Sequence, residues 1–365
     1  MTPDQLSRIV LHSVRRAVEA DELRVAVPER VQVQNPPRPG CGDYATNVAL
    51  RLAKSRPDGA GHGAREVAEV LRRRLVREPG IAGVEIAGPG FLNITLAAGS
   101  HAGLIRTVRA RGTSYGRGAA LAGVAATFAP AGEVRARVVT DAVVELLRSQ
   151  GAAASVAAGG ERVRAVPVPD GAGDVFARLG PDAARWALLR PAAHDAPVLD
   201  PARLLAQRET NPLFRVRYAH ARCRALLRNA RDLGFGPEEP AGSGRPPGAG
   251  EPAERAGGRL VTDSACRPEP DPYADPRAGA LIAALADHPR VVTAAARHRA
   301  PDRLARHLET TADTFFRWLD GCPVLPCGER KPSAAHRARL ALADATGTVL
   351  AGGLSLLGIS APDIL

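Results

Sequence analysis

Apolar residues recur every three or four positions over the first twenty residues, with Leu6, Ile9, Val10, Val14 and Ala17 on one stripe. That spacing predicts an amphipathic helix, with Thr2 or Asp4 placed to cap it. Residues 25–33 read as extended and residues 35–42 as turn-rich, followed by two further helical patterns at 46–54 and 64–76. Residues 81–86 and 91–96 then alternate around the turn Gly88-Pro89-Gly90, so two strands are expected there. In the second of them Leu92, Ile94 and Leu96 fall on one face, leaving Phe91, Asn93 and Thr95 on the other.

A helical stretch at 101–111 leads to a glycine-rich joint, after which 124–128, 134–148 and 153–157 read as strand, helix, strand. That is one βαβ unit. Beyond residue 174 the pattern is helical, with segments at 181–189, 211–233, 278–286, 302–319 and 334–357. Only residues 234–276 interrupt. They are rich in Pro, Gly and charge and poor in apolar side chains, so a disordered insertion is expected. No internal repeat is visible.

The helix expected at 211–233 has Asn211 as N-cap and Pro212 at its first position. Val216, Ala219, Cys223, Leu226, Ala230 and Leu233 form its apolar seam, and Arg215, Arg217, Arg222, Arg224, Arg228 and Arg231 occupy the other sides. A basic face of this kind is either solvated or a surface for a polyanion. Composition favours the second reading. The 365 residues carry a formal charge of +11, almost all of the basic residues being arginine, since Lys54 and Lys331 are the only lysines. Neutralising phosphates releases counterions, and arginine forks suit phosphate oxygens. Five scattered cysteines and no signal-peptide pattern point to a reducing cytoplasm. Cys322 and Cys327 lack the further ligands a zinc site needs, and no apolar run reaches the roughly 20 residues of a membrane span. No metal, cofactor or membrane partner is expected.

Two motifs near the N-terminus, residues 42–50 (GDYATNVAL) and 88–94 (GPGFLNI), resemble the additional N-terminal domain of arginyl-tRNA synthetases. Residues 180–185 (GPDAAR), 211–222 (NPLFRVRYAHAR) and 353–363 (GLSLLGISAPD) resemble that family's DALR-type anticodon-binding domain. The resemblance implies an α+β N-terminal domain (1–112), a short α/β remnant of the class I catalytic domain (113–175) and an all-α helical-bundle anticodon-binding domain (176–365). It also implies that Phe91 and Asn93 meet the tRNA D-loop, and that Tyr218 and Arg222 lie beside the anticodon. Phe91 has an alternative place under the first helix. His220 either joins the anticodon side or bonds a neighbouring carbonyl. Trp318 either stacks on a base or belongs to the core. Asp43 is expected to close a turn or cap the next helix, and Tyr44 to pack between helix and sheet.

The chemistry of the family has no visible seat. A class I synthetase uses an HxGH turn at a helix N-terminus and a lysine-bearing loop to stabilise phosphate charge. Here the corresponding stretch reads Phe128-Ala129-Pro130-Ala131-Gly132-Glu133-Val134-Arg135-Ala136-Arg137, with no histidine between His101 and His194. Arg135 and Arg137 either touch phosphate or are solvated. Residues 118–173 are too few for the two βαβαβ halves of a nucleotide-binding sheet. No Gly-x-Ser-x-Gly elbow accompanies the adjacent His194 and Asp195. The expectation is a non-catalytic tRNA-binding protein, of the arginine-tRNA class by resemblance; the alternatives are a module that associates with a full-length synthetase, and an active ligase.

Overall fold

The computed structural model describes residues 1–34, 36, 41–54, 63–169, 174–238 and 271–365. Helix α1 (Pro3–Glu19) starts at a capping box in which Thr2 and Gln5 satisfy each other's backbone N–H. Its stripe of Leu6, Val10, Val14 and Ala17 is wholly buried. It packs with α2 (Val48–Lys54) and α3 (Ala64–Leu75) against an antiparallel sheet of β1 (Tyr44–Thr46), β2 (Ile81–Ala87) and β3 (Phe91–Leu96), with β3 in the middle. Residues 25–33 form no strand; only Gln34 makes a bridge, to Ala45. Asp43 does neither of the jobs expected of it. Its carboxylate accepts from the Leu96 backbone N–H at 2.7 Å and so ties the start of β1 to the end of β3.

Helix α4 (Ala98–Arg111) leads into the centre, where β4 (Ala125–Phe128) and β5 (Ala153–Val156) run parallel, joined by α5 (Val134–Ser149). This βαβ unit shares one hydrophobic core with the helices that follow: α6 (Val175–Leu189), the short α7 (Pro201–Leu204), α8 (Pro212–Asp232), α9 (Pro276–Arg297), α10 (Pro301–Gly321) and α11 (Ala334–Leu356). The βαβ unit is therefore built into the helical bundle.

One expectation is corrected here, and another lies mostly outside the described residues. Helix α9 runs on past Ala286 to Arg297 although Pro289 lies inside it. A proline removes the N–H that would serve the carbonyl four residues back. The Tyr115 hydroxyl donates to that carbonyl, Leu285 O, at 3.1 Å, so the helix continues. The insertion expected at 234–276 falls largely on residues 239–270, outside the described ones. Its flanks are anchored: Phe235 and Tyr273 are buried, and the Tyr273 hydroxyl donates to Ala338 O on α11.

Candidate nucleic-acid interface

Phe91 opens β3 with its ring 38% exposed, and Asn93 stands half-buried on the same outer face. Leu92, Ile94 and Leu96 point the other way, into the core. The ring is thus free of α1. Tyr44, by contrast, is buried between sheet and helices, and burial raises its phenol well above the ordinary range.

On α8 the side chain of Asn211 caps the helix, accepting from Leu213 and Phe214, and its amide donates to Leu204 O and Ala206 O. The spacing 214, 218, 222 then places Phe214, Tyr218 and Arg222 along one face. Tyr218 is 39% exposed and packs nearly parallel to Phe214 (centroids 5.7 Å apart, 7°) and to Phe316 of α10 (5.4 Å, 20°). The Arg215 guanidinium sits 5.0 Å from the Phe316 ring centroid and is held by Asp313 and Glu209. Arg222 is exposed and, among the described residues, unpaired. An unstacked base has rings to lie against and a cation for its phosphate.

For Trp318 and His220, each left with two readings, the structure takes the one away from this face. Trp318 is 0% exposed, in contact with Phe315, because positions 308, 311, 315 and 318 make the buried stripe of α10. Phe316, two positions away, is half-buried and packs against Tyr218. His220 is buried, with Nδ1 3.1 Å from Gly347 O on α11 and Nε2 3.4 Å from the Asp363 carboxylate. It joins α8 to α11 and the C-terminal segment rather than offering a ring to a base. That segment covers part of the basic face: Asp363 accepts from Arg224 Nε at 3.1 Å and from Arg228 through its carbonyl at 3.2 Å, while Arg217 lies near Asp182, which also accepts from the Ser360 backbone N–H.

The centre has a different character. The start of α5 is capped by Glu133, whose carboxylate accepts from Ala136 N at 2.6 Å and from Val168 N at 3.1 Å. Burial disfavours its charge, but these backbone donors prevail and hold the carboxyl below its ordinary range. The N–H groups that would cradle an anion at a helix start are thus already serving one. Residues 157–161 fold back over the carboxyl end of β4, with Ala129 N donating to Glu161 O and Glu161 N to Thr127 O, both at 2.9 Å. Gly160 lies so close that a Cβ there would fall 2.5 Å from the Phe128 carbonyl carbon. Arg299 closes the same end, pairing with Glu161 at 2.5 Å. In open α/β sheets ligands enter at this position. Arg135 does not reach toward it: the side chain is fully buried and donates to five backbone carbonyls. A cleft of about 850 Å³ between the N-terminal domain and α9 is lined by Asp4, Ser7, Glu29, Arg30, Arg51 and Arg290, without a nucleophile and base in the arrangement hydrolysis requires. Among the described residues no His, Cys, Asp and Glu group could hold a metal ion, and no helix is long and apolar enough to cross a membrane.

Comparison with known proteins matches both ends of the chain. The family described as "Arginyl tRNA synthetase N terminal domain" matches residues 4–96, and the "DALR anticodon binding domain" matches residues 257–365. The arginine–tRNA ligases of Frankia alni and Renibacterium salmoninarum are each 27% identical to it, with all of both chains covered. Those alignments extend over 580 and 582 positions against 365 residues here, so the relatives carry long stretches that this chain lacks. Among solved structures, the arginyl-tRNA synthetase of Thermus thermophilus aligns over all of both chains with a TM-score of 0.64 at 13% identity. That of Plasmodium falciparum aligns over 100% of this chain and 99% of its own, with a TM-score of 0.62 at 9% identity, and both likenesses concern the fold. Matched by the family's N-terminal and anticodon-binding domains and shorter between them, this chain belongs to the arginyl-tRNA synthetase family.

Proposed function

We propose that this protein binds tRNA, of the arginine class, through both flanking domains and does not form aminoacyl-tRNA. The observation that carries the binding half is the exposed Tyr218 stacked with the half-buried Phe214 of α8 and Phe316 of α10, with the exposed Arg222 one turn further along α8. The non-catalytic half is supported by the Glu133 carboxylate at the start of α5 and by residues 157–161 over the end of β4. A phosphate brought to that helix start would meet a negative charge already hydrogen-bonded there, and breaking the two backbone hydrogen bonds of Glu161 to make room is costly.

The test is a gel-shift titration with total tRNA at two salt concentrations, followed by sequencing of the retained species. Arginine isoacceptors are expected to be enriched, and Phe91→Ala and Arg222→Ala are each expected to weaken binding about tenfold, the size of one lost base stack or phosphate contact. Arginine-dependent exchange of pyrophosphate into ATP should be absent in the same preparations. Exchange at a synthetase rate would end the non-catalytic reading. Retention of a full-length synthetase with no tRNA would move the protein to the association reading instead.

The C-terminal contacts give a second expectation. Asp363→Asn removes a carboxylate that competes with phosphate for Arg224, while the Arg228 contact to the Asp363 backbone carbonyl is unaffected. It should raise tRNA affinity several-fold and steepen the salt dependence by about one phosphate equivalent, read from the same titrations. A loss of affinity would mean that the segment contributes to the tRNA surface itself.

A further inference from the structure

The helical layer of the N-terminal domain holds a polar pocket that neither tRNA surface uses. It has a volume of about 330 Å³ and is lined by Ser13 and Arg16 of α1, Arg74 of α3, and Arg77, Glu78 and Pro79 just beyond α3. Both helices pack on the inner face of the sheet with Leu92 and Ile94, so the pocket lies across the domain from the ring of Phe91. Glu22 orients Arg74, taking its Nε at 3.0 Å and its Nη2 at 2.8 Å. Among the described residues Nη1 of Arg74 is left without a partner, and the exposed Arg16 and Arg77 make no ion pair. Cations near the last turn of a helix offset its dipole, which accounts for arginines at the ends of α1 and α3. It does not account for the hydroxyl that lines the same pocket.

Ser13 is 1% exposed, and its Oγ has no hydrogen-bond partner. A hydroxyl inside a helix can donate to the carbonyl four residues back. Thr107, Thr140, Thr311 and Thr346 each do so, but Ser13 does not. A buried donor left unused is costly unless a molecule in the pocket accepts from it. Guanidinium forks beside such a donor suit a tetrahedral oxyanion. Glu78 narrows the class. It is half-buried, lines the pocket and, among the described residues, makes no ion pair. An ionised carboxylate only accepts hydrogen bonds. It repels sulfate and the phosphodiesters of a nucleic-acid backbone, which carry no proton near neutral pH. Inorganic phosphate keeps at least one proton there, and a carboxylate can accept it.

We propose that this pocket binds hydrogen phosphate, as the free ion or as the protonated end of a phosphomonoester. Arg16, Arg74 and Arg77 hold its oxygens, Ser13 donates to one of them, and Glu78 accepts its proton. The test is calorimetric titration of the full chain with inorganic phosphate, methyl phosphate, sulfate and dimethyl phosphate at matched ionic strength. It is run at about pH 6, where a phosphomonoester keeps its proton about half the time. Phosphate is expected to saturate a single site, with sulfate and dimethyl phosphate about tenfold weaker or worse. Methyl phosphate binding tighter than phosphate assigns the pocket to a monoester, and weaker binding assigns it to the free ion. Arg77→Ala should weaken phosphate binding about tenfold, and Glu78→Gln should bring sulfate up to the affinity of phosphate. Ser13→Ala should weaken phosphate binding several-fold without lowering the thermal midpoint, because the hydroxyl it removes has no partner within the protein. A structural role for Ser13 would move the midpoint instead. Equal binding of phosphate and sulfate, no phosphate binding, or an affinity unchanged in both Arg77→Ala and Ser13→Ala would overturn the site. So would tRNA retention that weakens in these variants while phosphate fails to bind, which would assign the pocket to an RNA backbone.

Discussion

Arg135→Ala is expected to lower the folding free energy by about 4 kcal/mol, read as a shift of the urea midpoint at unchanged slope. The side chain is 0% exposed, and its guanidinium serves three parts of the chain at once. Nε donates to Leu188 O at 3.1 Å; Nη1 donates to Val166 O at 2.8 Å and Asp195 O at 2.6 Å; Nη2 donates to Pro191 O at 3.3 Å and Ala192 O at 2.9 Å. A buried acceptor left without a donor costs roughly 1–3 kcal/mol, and five such losses do not add in full because the segment 191–195 can relax toward water. Leu188 also lies in the last turn of α6, where a positive charge is favoured. Arg135→Met separates the causes. It keeps most of the volume and none of the donors, so it should be nearly as damaging as alanine, and lysine should fall between because a single ammonium cannot span the fork of carbonyls. A methionine variant within about 1 kcal/mol of the parent would show that the carbonyls find other donors.

How much of this was legible in the sequence follows from what kind of signal each feature leaves. The stripe of α1 and the βαβ unit at 124–157 were readable because side-chain periodicity records which face is buried, and Leu6, Val10 and Val14 are indeed inaccessible. The continuation of α9 was not readable, because Pro289 is a local breaker and the hydroxyl that compensates comes from Tyr115, far away in sequence. Arg135 was opaque for a related reason: its partners are backbone carbonyls, which carry no residue type. At the interface, Tyr218 and Arg222 came from the family motif and stand exposed on α8. Phe214 follows from the same spacing, four residues earlier. The period of α10 puts Trp318 with Phe315 in the core, the second of its two readings, and leaves Phe316 half-buried beside Tyr218.

Folding stability is expected to fall steadily as pH drops from 6.5 towards 4. His288 and His307 are packed between α9 and α10, their rings 5.3 Å apart, and His288 also stacks on Tyr115. Neither His288 nitrogen has a hydrogen-bond partner, nor has Nε2 of His307. Burial disfavours the charged form of both, lowering His288 well below its ordinary value and His307 to about 4; the neighbouring ring adds to the effect on His288, and Asp287 and Arg290 act in opposite directions on His307. The sign follows from where the protons bind. Above pH 6.5 both rings are neutral in the folded and unfolded chain, and the packing stands at full strength. Below it the unfolded chain takes up protons that the folded chain refuses, so stability is lost as pH falls. His307 alone accounts for about 3 kcal/mol by pH 4, and His288 adds in the same direction. His101, also lowered chiefly by burial, contributes with the same sign. Carboxylates held low by arginine partners, such as Asp275 beside Arg277, act in a separate window below the ordinary Asp value of 3.8. The interval between pH 4.5 and 6.5 therefore isolates the histidines, with a slope of about 1.4 kcal/mol per pH unit for each proton withheld. Urea unfolding across that interval should show it, and His307→Leu should flatten it; a level profile in the parent, or a slope unchanged in the variant, would place the acid sensitivity elsewhere. Since this pair sits where the joint at Tyr115 meets the helical bundle, acid would loosen the seam that joins the shortened centre to the anticodon-binding helices before it touched either proposed tRNA surface.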